Sequence, residues 1–176
     1  MKKKIFVTGT SGSGKTTLSQ TLNTLGYKAY NIEHDQFGLF KFIRKDTGEH
    51  YIDYDNTDIE KVKNASWICD VDKLKKLLSE QTEDISFYCG TASNKAEIMP
   101  LFDKVFFLKV SPDVLYKRLL VREGTDDYAN TEAGRQMVLS KIDISNNKYI
   151  EAGAIPINAD LSSLEVARNI VASSMG

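Results

Sequence analysis

Cysteine is nearly missing from this 176-residue chain: Cys69 and Cys89 are the only two. Without metal-ligand spacing they read as reduced, packed thiols of a cytoplasmic protein. An excess of basic charge is also missing. The net charge is -1, which leaves no overall field for holding nucleic acid. No apolar run approaches a membrane span. Met1-Lys2-Lys3-Lys4 looks like the charged start of a signal peptide, but Ile5-Phe6-Val7 is too short an apolar segment to complete one. Internal repeats, low-complexity tracts and linkers are absent as well. These absences leave one compact domain over residues 1–176, long enough to bury a core without disulfides or metals. They imply neither a nucleic-acid nor a membrane partner, and leave monomer and homodimer open.

What is present alternates between two periods. Ile5 to Thr8 is a buried strand, and Lys15 to Leu25 a helix with Leu18, Leu22 and Leu25 on one stripe, stopped by Gly26. Lys28 to Ile32 is a second strand. Phe40–Arg44 and His50–Tyr54 flank a turn at Asp46-Thr47-Gly48-Glu49 and predict a β-hairpin, a local insert within residues 36–68. A helix from Asp70 to Leu78, capped by Asp70 or Asp72, precedes a third strand, Ile85–Cys89. Val105 to Val110 is a fourth. Ser111-Pro112-Asp113 opens a helix through Leu120. A polar loop, part of an expected lid over residues 122–134, leads to one long helix from Thr131 to Glu151, stopped by Gly153. Ile155–Ile157 is a fifth strand and Leu161–Ala172 the last helix. This order predicts an α/β fold of three layers: a five-stranded parallel sheet with helices on both faces, a hairpin insert and a lid.

One segment carries specific chemistry. Gly9-Thr10-Ser11-Gly12-Ser13-Gly14-Lys15-Thr16 fits G-x-x-x-x-G-K-[ST] at every fixed position, after a strand and before a helix. Glycines let successive amides turn inward onto phosphate oxygens, and the helix N-terminus adds partial positive charge. The expected nucleotide ligands are Gly9, Ser11, Gly12, Ser13, Gly14, Lys15, Thr16 and Thr17, with the Thr16 hydroxyl on Mg²⁺. ATP and Mg²⁺ are the expected cofactors.

A kinase also needs a group that orients or deprotonates its acceptor. Ligands of open α/β sheets bind beyond the carboxyl ends of the strands. Glu33-His34-Asp35 follows the second strand, so Asp35 is the first candidate for the base or for a carboxylate near Mg²⁺, and Glu33 the second, provided that strand neighbours the first. Trp67, Gly90 and Asn94 are candidate substrate contacts, and Arg135 a further one from the lid side. Arg118 and Arg122, four apart on the helix after the fourth strand, are candidates for stabilising transferred phosphoryl charge. Asn158, at the end of the fifth strand, is placed for the adenine, while Asp160 reads as a cap for the last helix. Between Asn31 and Asp72 ten carboxylates face five cationic side chains. That balance favours a neutral or cationic acceptor over a phosphorylated one. Asp103, before the fourth strand, is the one acid that reads as a partner of the phosphate loop in an NTPase.

On these residues the chain resembles the P-loop small-molecule kinases, the group of shikimate, gluconate, nucleoside and nucleoside-monophosphate kinases. The resemblance rests on Gly9 to Thr17, Glu33-His34-Asp35, the Arg118/Arg122 helix and Ile157-Asn158-Ala159. Within that group it is most similar to bacterial shikimate-kinase-like ATP-binding proteins, through Trp67-Ile68-Cys69-Asp70 and Cys89-Gly90-Thr91-Ala92-Ser93-Asn94. It implies an ATP-Mg-dependent phosphotransferase acting on a hydroxyl of a small metabolite or nucleoside. A nucleoside-monophosphate kinase and an NTPase or switch protein without a small acceptor are the alternatives. The chain departs from shikimate kinases in carrying Cys89-Gly90-Thr91 where they carry three glycines. It also lacks the Asp-Gly-Phe-Pro-Arg motif of adenylate kinases.

Overall fold

The computed structural model describes residues 2–122 and 128–176. Strand β1 (Lys3–Gly9) lies at the centre of a five-stranded sheet. It runs parallel to β5 (Ile85–Cys89) on one side and to β6 (Lys104–Lys109) on the other. Strand β2 (Lys28–Asn31) adds outside β5, and β7 (Ile155–Asn158) outside β6, all parallel. The order β2-β5-β1-β6-β7 is thus the expected all-parallel sheet.

Both faces are covered, so each strand buries alternate residues on opposite sides. Ile5, Val7, Phe87, Cys89, Phe106 and Leu108 face one hydrophobic cluster with α1 (Lys15–Thr24), α5 (Pro112–Leu120), α6 (Glu132–Ser140) and α8 (Ser163–Met175). Phe6, Tyr88, Val105 and Phe107 face the other, with α3 (Val71–Ser79), α4 (Lys95–Ile98) and Tyr149 of α7 (Ile142–Glu151). The long helix expected from Thr131 to Glu151 is two helices, broken at Lys141. Val138 and Ile142 pack in the first cluster, whereas Tyr149 stacks on Phe107 in the second. The passage from one cluster to the other occurs within α7, between Ile142 and Tyr149, after the break at Lys141.

The insert also differs from expectation. Strand β3 (Phe40–Arg44) pairs antiparallel with β4 (Ala65–Cys69), Phe42 opposite Trp67, and on its other edge Phe42 O accepts from Tyr51 N at 2.9 Å and Arg44 N donates to Glu49 O at 2.8 Å. The turn does fold back, giving a single bridge from Ile43 to His50. The chain then turns away, and a short helix, α2 (Ile59–Lys63), leads into β4. Aromatic rings from both neighbours cover the strand. Trp67 stacks on Phe40 at 5.0 Å between ring centres and tilts onto Phe42 at 4.3 Å, while Tyr54 covers Phe42 at 3.6 Å. Asp70 caps α3 by accepting from Lys73 N.

Residues 123–127, the core of the expected lid, lie outside the described residues. Asp103 is not an NTPase acid beside the phosphate loop. Its Oδ2 accepts from Lys4 N at 2.6 Å, at the end of β1 opposite the loop. Asp160 does not cap the last helix either. Its Oδ1 accepts from Ser111 N at 2.8 Å, and Ser162 with Glu165 forms the capping box of α8. Among the described residues, no helix is long and apolar enough to cross a membrane.

Candidate nucleotide and acceptor site

The loop from β1 to α1 curls over the carboxyl edge of the sheet. Gly12 and Gly14 have φ of 80° and 101°, the left-handed region that glycine adopts without strain. A side chain at Gly12 would also meet Leu115 Cδ1 of α5 at 2.7 Å. The loop borders a cleft of about 670 Å³. Ser11, Gly12, Ser13, Gly14, Lys15, Thr16 and Thr17 line it, as do Arg118 and Arg122. Gly9 stands just behind, where a side chain would strike Ser13 Oγ at 2.5 Å.

Three cations and one carboxylate, Glu33, are the charged groups of the cleft lining. The Lys15 ammonium donates to Gly9 O at 2.9 Å and to Thr10 O at 3.2 Å. Desolvation pushes its pKa down, Glu33 and Cys89 oppose the shift, and Arg122 adds to it. Arg118 donates to Ser13 O at 3.3 Å and to Ala159 O at 2.7 Å, tying the phosphate loop to the turn after β7. Arg122 donates to Ser11 Oγ at 3.2 Å. Ser13 Oγ is buried with no hydrogen-bond partner among the described residues. It packs against Gly9 at the back of the loop, which leaves the front of the loop, its amides and the Lys15 ammonium towards the cleft. The loop therefore fits a polyphosphate. Thr16 Oγ1, which accepts weakly from Asn31 at 3.4 Å, is the hydroxyl available to a magnesium ion.

Glu33 reaches this cleft by a route different from the expected one. Strand β2 does not neighbour β1, because β5 lies between them. Glu33 therefore has to cross the end of β5, where Gly90 stands. A side chain at Gly90 would meet Ile32 Cγ1 at 2.7 Å and Glu33 Cγ at 3.2 Å. Gly90 is a spacer that admits Glu33, not itself a lining residue. Asp35 does not line the cleft. It is exposed and begins a 3-10 turn, Asp35–Phe37, capped by His34.

Trp67 meets Glu33 through its indole: Nε1 donates to Glu33 Oε1 at 3.0 Å. Its ring faces pack against Phe40 and Phe42. Asn94 is occupied by the insert, its amide accepting from Cys69 N at 3.0 Å and donating to Cys69 O at 2.9 Å. Arg135 is tied to Glu132 and to the carbonyls of Ala129 and Asn130 and does not line the cleft. Asn158 caps its own turn by accepting from Asp160 N at 3.0 Å, and the lining there comes from Ala159, Leu161, Ser162 and Ser163. Thr91, which lines the cleft and shares a hydrogen bond with Tyr149 at 3.0 Å, was not singled out from the sequence, nor was Asn31. Their signal was position alone, at the carboxyl ends of β5 and β2.

Several of the ten acids of residues 31–72 are engaged in ion pairs or helix caps, although pairing with Arg44, Lys61 and Lys63 leaves the net excess unchanged. Asp46 holds Arg44 in a fork at 3.1 and 3.0 Å, which brings its carboxyl down to about 2. Asp53 pairs with Lys61 and Glu60 with Lys63, and Asp58 and Asp70 cap helices. Cys69 and Cys89 are free and buried, and burial pushes both thiols up to about 12.

A family model described as an AAA domain matches residues 5–136, three quarters of the chain. The chain belongs to this AAA-domain family of P-loop proteins. Its fold is that of the P-loop small-molecule kinases. The shikimate kinase of Acinetobacter baumannii, solved in complex with shikimate, superposes with a TM-score of 0.66 at 17% identity, over 99% of this chain and 94% of that one. The shikimate kinase of Bacteroides thetaiotaomicron gives 0.60 at 18% identity, covering 98% of each. The deoxyadenosine kinase of M. mycoides with bound dATP gives 0.57 at 15% identity, over 98% of this chain and 100% of that one. No curated protein matches in sequence.

Proposed function

We propose that this protein is an ATP-Mg²⁺-dependent phosphotransferase that phosphorylates a hydroxyl of a small metabolite or nucleoside. The observation that carries this reading is one cleft with the phosphate loop and Lys15 on one wall and the Glu33 carboxylate on another. The amides of Gly12 to Thr16 and the Lys15 ammonium hold the phosphates, and Arg118 and Arg122 balance their charge. Bound ATP supplies the γ-phosphoryl group, with Mg²⁺ neutralising its oxygens. Thr16 Oγ1 holds the metal on the protein side. Glu33 takes the part first expected of Asp35. It accepts the proton of the acceptor hydroxyl as that oxygen bonds to phosphorus, and ADP leaves. No cation from residues 31–72 lines the cleft among the described residues, which supports a neutral or cationic acceptor. We place the reaction in the cytoplasm, consistent with two free cysteines. The test is ADP release over a panel of nucleosides, sugars, amines and nucleotides. The reading expects one class to raise release well above background and Glu33→Gln to abolish the rise. Background release with every acceptor contradicts it.

A further inference from the structure

Opposite charges in the cleft stop short of the pair they favour. Glu33 and Lys15 both line it, and the carboxylate stabilises the lysine's charge against desolvation. Yet among the described residues they form no ion pair. The ammonium rests on the Gly9 and Thr10 carbonyls, and Glu33 Oε1 is taken by the Trp67 indole at 3.0 Å.

That indole is held firmly. Trp67 N donates to Ser93 Oγ at 3.0 Å, and Trp67 O accepts from Ser93 N at 2.7 Å. Asn94 clasps the next-but-one residue, Cys69, at both its N–H and its carbonyl. The rings of Phe40 and Phe42 pack on the indole itself. An indole N–H donates only, so at this position it can bind a carboxylate but does not compete for an ammonium.

We propose that Trp67 is a positioning residue that holds Glu33 off Lys15. The lysine is thereby left free for phosphate, and one oxygen of Glu33 for the acceptor. The proposal rests on Lys15 being the phosphate ligand proposed above. Without the indole donor, a partly buried carboxylate beside a partly buried ammonium gains most by pairing with it. Nucleotide would then have to break that pair.

The experiment is calorimetric titration of a non-hydrolysable ATP analogue with Mg²⁺ into four proteins: parent, Trp67→Phe, Glu33→Gln and the double variant. Phenylalanine keeps an aromatic ring and loses the donor. In the Glu33 background Trp67→Phe should weaken binding about three- to tenfold. In the Glu33→Gln background the same change should have no effect, since no carboxylate remains to capture Lys15. Equal weakening in both backgrounds means that Trp67 is merely structural and overturns the proposal, as does no weakening in either. A parent protein that binds no analogue overturns the nucleotide reading, and this proposal with it. A second measurement does not depend on Trp67→Phe folding. Trp67 is the single tryptophan, so its indole N–H gives one resonance. Glu33→Gln should shift it by weakening the hydrogen bond, and an unmoved resonance shows that the bond is absent.

Discussion

The two walls of the cleft are built on different principles. The nucleotide wall is continuous in sequence: a strand, a glycine-rich bend and a helix within Lys3–Thr24. Its candidate ligands are backbone amides and Lys15, joined across the cleft by Arg118 of α5 and by Arg122, just beyond the end of that helix. The acceptor wall is assembled from three separate stretches, the end of β2, the insert strand β4 and the turn after β5. They are joined by side chains that bond one another before they meet a substrate. The first wall depends on local conformation and the second on long-range contacts. Mutations should therefore separate them.

The largest expected effect is at Gly12. Valine there must adopt a φ of 80° and also displace Leu115 and Leu119. We expect a loss of about 2–4 kcal/mol in stability by denaturant titration, with nucleotide binding undetectable by calorimetry. Next, Glu33→Gln and Asp35→Asn should part company. The first should lower acceptor-dependent ADP release at least ~100-fold, the second less than about fivefold, because only Glu33 lines the cleft. A reversal of that order would return the catalytic role to Asp35. Gly90→Ala should cost about 1–3 kcal/mol and depress turnover by displacing Glu33. Its cost in affinity for the ATP analogue should not exceed that of Trp67→Phe, about tenfold, and should stay well below its cost in turnover. If affinity falls as far as turnover, the walls are not separable.

Near neutral pH the smallest effect is that of the two thiols. In the folded chain Cys69 and Cys89 titrate near 12, against 9.0 for an unperturbed thiol. Above pH 9 the unfolded chain therefore binds fewer protons than the folded one. Their contribution to stability should decline as pH rises from about 9 towards 12. Thermal midpoints of the parent against Cys89→Ala over that range check it. At pH 8 both thiols should resist alkylation until the protein unfolds.

The same contrast explains what could be read from sequence. The phosphate loop, the parallel sheet and the cap at Asp70 were legible because each is set within a few residues by glycine, by β-rich periodicity or by a side chain near its own helix. The insert was legible as an insert, but its pairing was not. Ala65–Cys69 carries one aromatic residue, Trp67, and its place beside β3 is set by the long-range stack of Trp67 on Phe40 and Phe42. Glu33 was ranked below Asp35 because that choice depends on which strand lies between β2 and β1. The break at Lys141 has no local signature: neither glycine nor proline marks it. Arg135 and Asn94 carry suitable chemistry for a substrate, but neighbouring backbone groups occupy them.

Every role proposed for the cleft requires that the bend from Gly9 to Thr16, with the Lys15 ammonium, grips polyphosphate. Calorimetric titration of the non-hydrolysable ATP analogue with Mg²⁺ into the parent and into Lys15→Ala checks this. The variant should remain folded and lose about 100-fold or more in affinity, roughly the energy of one or two charge-assisted hydrogen bonds. Equal affinity of the two proteins would contradict it.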